Sequence, residues 1–117
     1  MSNQRRYRVR PKGGKQPDAA DRLFKELTML GAIDAGWSRE VLFHHKRQWK
    51  LDIANAERKI GIEVDGYGPS HYTVEGRDDD NEKRNAAVLY GWRVLVVTAD
   101  EARGNPAGVA ALIRDLK

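Results

Sequence analysis

The chain has 117 residues, with 21 Lys or Arg against 17 Asp or Glu, a formal charge of +4 and no cysteine. That length supports one hydrophobic core rather than two. The lack of cysteine excludes a disulfide framework and cysteine-ligated zinc, and no apolar run approaches membrane-spanning length.

The charge is unevenly placed. Residues 1 to 17 carry Arg5, Arg6, Arg8, Arg10, Lys12 and Lys15 and no acid, a net +6, which leaves 15 basic against 17 acidic residues in the rest. A short arm rich in Gly, Pro and basic residues reads as a flexible tail. Its Arg5, Arg6, Arg8, Arg10 and Lys12 suit phosphate contacts whose strength falls with salt; a solubilising tail is the plainer account. Residues 18 to 117 are expected to form one domain. No pattern of basic start, apolar middle and small-residue cleavage site is present, so a soluble cytoplasmic protein is the simplest expectation.

A first helix is predicted from Pro17 or Asp18 to Leu30, with Asp18 as its cap and Gly31 at its end. Leu23, Phe24, Leu27 and Leu30 form its apolar stripe. Glu26 lies about 40° from Leu30 at the rim of that stripe, able to look towards what the helix packs on.

Three strands should follow, near 40–46, 49–55 and 59–65, and then a loop, "YGPSHYTVEGR". A second helix is predicted from Asp78 to Tyr90, stopped by Gly91. "WRVLVVT" reads as a central buried strand because its apolar run is nearly continuous. Asn105 and Pro106 open a last helix that ends near Leu116. The order is α-β-β-β-α-β-α, with a right-handed parallel crossover through the second helix.

The candidate chemistry lies in "WKLDIANAERKIGIEVDG", residues 49–66. Strand alternation puts Trp49, Leu51 and Ile53 on one face and Lys50, Asp52 and Ala54 on the other. In the next strand Ile60, Ile62 and Val64 oppose Gly61, Glu63 and Asp65. A two-residue loop at Glu57 and Arg58 would set Asp52 opposite Glu63, with Asp65 further along the same face. Like charges so placed repel, and a divalent cation offsets the repulsion. Oxygen ligands on strands suit Mg²⁺, with Mn²⁺ as a substitute. Such an ion meets the needs of phosphodiester hydrolysis. The plainer account is a solvated sheet face whose acids pair with Lys50, Lys59 or nearby arginines.

An Asp, then Glu-x-acid about ten residues on, after a Glu-bearing helix, resembles the PD-(D/E)xK nuclease superfamily. "RQWKLDIANAERKIGIEVDG", His71, Gly76 and "DNEKRNAAVLYGWRVLVVT" resemble more narrowly the small Vsr-like endonuclease-domain proteins of bacteria and phages, over about residues 20–100. The resemblance implies a restriction-endonuclease-like αβββαβα core, an α/β fold with a mixed sheet flanked by helices. It also implies a Mg²⁺-dependent DNA endonuclease in a bacterial or phage-infected cell. Asp52, Glu63, Asp65 and Glu26 then become the metal ligands, and His71 a general acid or base. Position 65 holds Asp where the superfamily usually has Lys. Lys83, mid-stripe with Ala86, Ala87 and Tyr90 on the second helix, is the candidate cation, unless it pairs with Asp80 one turn back. Tyr67, Tyr72 and Arg77 are further candidate DNA contacts.

Phosphate contacts carry no sequence information, so structure- or mismatch-directed nicking is expected. Cutting both strands would take a homodimer or two visits. Two other readings remain: a non-catalytic DNA-binding module of nuclease fold, and an interaction protein of a phage or mobile element with a metal-free acidic face. His44 and His45 point to opposite strand faces and share no metal easily. "GYGPS" lacks the Lys-Ser/Thr of a phosphate-binding loop, and "RDDDNEK" lacks calcium-loop spacing.

Overall fold

A computed structural model describes residues 18–44, 47–65 and 74–116, without the side chains of 74–80. The elements are α1 (Ala19–Met29), β1 (Ser38–His44), β2 (Trp49–Asn55), β3 (Ile60–Asp65), α2 (Val74–Leu89), β4 (Arg93–Thr98), α3 (Ala99–Gly104) and α4 (Pro106–Leu116). The four strands form one sheet in the order β1-β2-β3-β4. β1–β2 and β2–β3 are antiparallel; β3–β4 is parallel, joined through α2. Among the described residues, no helix is long and apolar enough to cross a membrane.

The helix ends follow their sequence signals. The Asp18 carboxylate accepts the Asp21 N–H at 2.8 Å and caps α1. Gly31 and Gly91 take φ of 75° and 88°, which only glycine adopts freely. In both cases the glycine N–H and the next one bond back to the last helical turn, the closing pair of a Schellman motif.

Two apolar clusters lie on opposite sides of the sheet. Leu23, Leu27, Ile53, Ile60, Ile62, Val97, Val109 and Ile113 join α1, α3 and α4 to one face. Phe43, Leu51, Ala54, Ala87 and Trp92 join α2 to the other. Trp37 and Trp92 are buried core residues.

This partition corrects the predicted alternation in β2. Leu51 and Ile53, two residues apart, belong to different clusters. The same change occurs in β1: Arg39, opposite Ile53, reaches the α1 side, and Val41, opposite Leu51, packs on the α2 side. The residue between them, Glu40, has a φ of 54°, in the left-handed region that side chains enter at a cost. The hairpin therefore turns over at Glu40 and Asp52. Its base serves the α1 core and its tip the α2 core.

The β2–β3 register is the expected one: Ile53 pairs with Ile62, Ala54 with Gly61 and Asn55 with Ile60, so Asp52 runs on towards Glu63. The connection is longer than two residues. Pairing ends at Asn55 and Ile60, and residues 56–59 form the turn. Buried Asn55 accepts the Arg58 N–H at 3.0 Å, and Lys59 turns the chain at a φ of 57°.

Three further expectations shift. β1 begins at Ser38, two residues early, and α2 begins at Val74. β4 is an edge strand, not a central one, with Val96 44% exposed. Its apolar run reflects helices on both faces, which periodicity cannot distinguish from strands on both sides. α3 is an element beyond the expected αβββαβα order. Its start carries a capping box, in which Thr98 Oγ1 accepts the Glu101 N–H and Glu101 accepts the Thr98 N–H.

Candidate functional site

Asp52 and Glu63 meet where β2 and β3 part. Pairing stops one step earlier, and side chains replace the ladder. Asp52 Oδ2 accepts the Val64 N–H at 2.8 Å, and Glu63 Oε2 accepts the Asp52 N–H at 3.1 Å. Each carboxylate is thus tied to the backbone of the other's strand. That reciprocity sets both at one point without a covalent link.

A cation reaches this pair from α2. Lys83 Nζ donates to Glu63 Oε1 at 2.7 Å, with the two side chains only 20% and 15% exposed. One residue on, Arg84 Nη2 contacts both oxygens of Asp65 at 3.2 Å, in a pair about 40% exposed. Successive α2 residues thus serve the acids of Glu63-Val64-Asp65. The positive partners come from a helix more than 15 residues away in sequence, not from Lys50 or Lys59. Lys50 lies 3.8 Å from Glu40, and Lys59 donates to the Tyr90 carbonyl at 2.9 Å.

The electrostatics follow from crowding and partial burial. Burial raises the Asp52 carboxyl above its ordinary range, and the Asp18 charge adds to the rise. The Val64 N–H, Lys83 and Arg39 pull the other way without cancelling it. Burial likewise raises Glu63; Lys83 opposes this and Asp52 reinforces it. Both groups resist ionisation chiefly because burial strips water from the charged form, and the positive charge nearby does not offset that loss.

A divalent cation would supply further positive charge. Two carboxylates suffice for Mg²⁺, which keeps several waters and takes one or two protein carboxylates alongside phosphate oxygens. Asp52 Oδ1 accepts no hydrogen bond from a described residue, so it has lone pairs to give. The donor set fits. It is smaller than the four ligands expected, because no group of three His, Asp or Glu comes together to hold a metal among the described residues. Asp65 is engaged by Arg84. Glu26 is exposed on α1; its predicted neighbour Leu30 lies past the helix end and is 52% exposed, so nearness to Leu30 buries nothing.

The acid of α1 that acts on Asp52 is Asp18, the helix cap. It belongs to a network that the sequence reading missed. Arg39 of β1 donates through Nε to Asp21 Oδ1 at 2.8 Å and through Nη1 to the Asp52 carbonyl at 2.6 Å. Its Nη2 lies 3.6 Å from Asp18 Oδ1. The available signal was an arginine in strand alternation with Val41 and Phe43, a position that calls for a partner. Arg84 was legible only as the neighbour of Lys83.

Other candidates stand apart from the pair or lie outside the described residues. His71, Tyr67 and Tyr72, the arm residues Arg5, Arg6, Arg8, Arg10 and Lys12, and the side chain of Arg77 lie outside the described residues. His44 stacks on Tyr90 at 5.2 Å and meets Trp49 edge-on at 5.1 Å. Arg47 lies over Trp49 at 4.3 Å. This aromatic group closes the hairpin tip against the end of α2.

No protein-family model matches the chain, and no curated protein matches it by sequence. Among solved structures it matches the catalytic domain of the homing endonuclease I-Bth0305I, at a TM-score of 0.63 and 19% identity, over 86% of this chain and 93% of that one. This chain has that fold. The α/β architecture with a mixed sheet between helices is therefore shared with an endonuclease domain. The narrower Vsr-like resemblance rests on the motifs themselves.

Proposed function

We propose that the chain is a metal-dependent endonuclease that hydrolyses phosphodiester bonds in DNA. The observation that carries this is the meeting of Asp52 and Glu63 at the parting of β2 and β3, with Lys83 at 2.7 Å, in a fold shared with an endonuclease catalytic domain. Asp52 and Glu63 would hold Mg²⁺. Asp65, paired with Arg84 as Glu63 is with Lys83, is the next carboxylate along β3 that could join them. The ion, when bound, supplies Lewis-acid charge to the scissile phosphate and to the attacking water.

The chain's own residues do the rest. Lys83 replaces the lysine absent at position 65 and stabilises the charge that develops on the phosphate. Arg84 is placed to hold a neighbouring phosphate oxygen when it leaves Asp65. His71 is assigned the proton transfer at the leaving or attacking oxygen. The basic residues of 1–17 and those of 66–77 grip the backbone. Such contacts are blind to sequence, which favours nicking directed by structure or mismatch.

The test is cleavage of supercoiled plasmid and of branched and mismatched duplexes with Mg²⁺ or Mn²⁺. Wild type should nick, whereas EDTA, Asp52→Asn or Glu63→Gln should abolish nicking. Wild-type protein that binds these substrates and cuts none of them refutes the proposal.

One observation favours a second reading, a non-catalytic DNA-binding module. The acid at position 65 already carries an arginine, and no third acid joins the pair among the described residues. That reading predicts DNA binding indifferent to EDTA and to Asp52→Asn.

A further inference from the structure

We propose that Arg39 is a positioning residue for the carboxylate pair, fixing the corner from which Asp52 reaches Glu63. The proposal rests on the reading that Asp52 and Glu63 hold a divalent cation, and it concerns how they are kept in place.

The strand pair β1–β2 changes faces at Glu40 and Asp52. A regular strand would send the Asp52 side chain out perpendicular to the sheet. At the turnover its carboxylate instead bonds the Val64 N–H of β3 at 2.8 Å. This aim depends on the orientation of the two peptide groups that flank the Asp52 Cα, and each is held. Glu63 Oε2 accepts the Asp52 N–H, and Arg39 Nη1 donates to the Asp52 carbonyl at 2.6 Å.

Arg39 can pin that carbonyl because its guanidinium is itself fixed. Nε donates to Asp21 Oδ1 at 2.8 Å, and Nη2 lies 3.6 Å from Asp18 Oδ1 and 3.9 Å from Glu40 Oε2. One planar fork thus joins the first turn of α1, the left-handed residue of β1 and the peptide of the candidate ligand. A lysine, with one charged point on a flexible stem, cannot span Asp21 and the Asp52 carbonyl together. Arg39 makes no hydrogen bond to either carboxylate of the pair; besides the field of its charge at Asp52, which Arg39→Lys keeps, it acts through the Asp52 backbone. Supporting groups of this kind typically change metal affinity ten- to a hundredfold when removed.

Two measurements on the full chain decide the matter: Mn²⁺ affinity by calorimetry, and hydrogen exchange of the Val64 amide in metal-free protein. Arg39→Met should weaken Mn²⁺ binding about tenfold or more and lose Val64 protection while neighbouring β3 amides keep theirs. Arg39→Lys should restore only part of either. A role confined to docking α1 predicts a lower melting temperature with Val64 protection falling no more than that of its neighbours. Should Arg39→Met fail to fold, Asp21→Ala takes its place. Asp21 is half exposed, and its loss frees Arg39 Nε, so both readouts should move the same way by less. A folded Arg39→Met with wild-type Mn²⁺ affinity and wild-type Val64 protection overturns the proposal, as does an Asp21→Ala that moves neither. Wild type that takes up no Mn²⁺ overturns the cation reading instead. Val64 exchange then decides the positioning claim by itself, and unchanged protection in Arg39→Met ends it.

Discussion

Replacing Lys83 with Met removes the charge that Glu63 faces at 2.7 Å. An exposed ion pair is worth roughly 0.2–1 kcal/mol, whereas stripping one partner from a fully buried pair costs about 3–5 kcal/mol. With Glu63 15% and Lys83 20% exposed, the pair lies nearer the buried limit, at about 2–3 kcal/mol. Asp52 adds to the cost, because its charge already disfavours ionised Glu63. For a domain of this size each kcal/mol moves the melting temperature by about 4 °C, so a drop of about 10 °C is expected at neutral pH without metal. Arg84→Met, which breaks the more exposed pair with Asp65, should cost less than about 1 kcal/mol. A double-mutant cycle with Glu63→Gln, read by urea unfolding, should give a Lys83–Glu63 coupling of about 1.5 kcal/mol or more. A coupling below about 0.5 kcal/mol, with Lys83→Met no worse than Arg84→Met, would mark an ordinary surface pair and refute the role given to Lys83.

Other outcomes follow from the same geometry. Mg²⁺ should raise the melting temperature of wild type, and more so that of Lys83→Met, where the ion replaces the lost charge; scanning calorimetry with and without EDTA checks both. Asp52→Asn should abolish cleavage and yet stabilise the metal-free protein. The folded Asp52 carboxyl sits above its ordinary value of 3.8, and Glu63 above 4.5. The native state therefore binds these protons more tightly than the unfolded chain. Their contribution to stability is present below those ordinary values and lost as pH rises through the raised ones. The stability gained by Asp52→Asn should be small near pH 4, grow with pH and then level off. A gain that shrinks with pH counts against the assignment. Gly61→Ala should destabilise by about 1–3 kcal/mol in urea unfolding, since its Cβ would lie 2.6 Å from Leu51 Cδ1 on the face that packs α2. Thr98→Ala, removing the cap of α3, should cost about 1 kcal/mol by the same measurement.

The amino-acid sequence by itself determined the order of the elements other than α3, and the meeting of Asp52 with Glu63. Local chemistry was enough for this: Asp18 and Gly31 bound α1, Gly91 ends α2, and a centred turn at 57 and 58 brings position 52 towards 63. Position 83 was legible as a lysine in an apolar arc that needs somewhere to go. The tertiary structure alone decided which side of the sheet each strand segment serves. Alternation assumes a regular strand, and a hairpin shared by two cores must turn over, as this one does at Glu40 and Asp52. It alone decided that Asp18, not Glu26, is the helix acid felt by Asp52, and that Arg84 claims Asp65. Both depend on how helices 19 or more residues away dock on the sheet. Their docking is set by burial of Leu23, Leu27 and Ala87 against particular strand residues, a long-range choice that no local periodicity encodes.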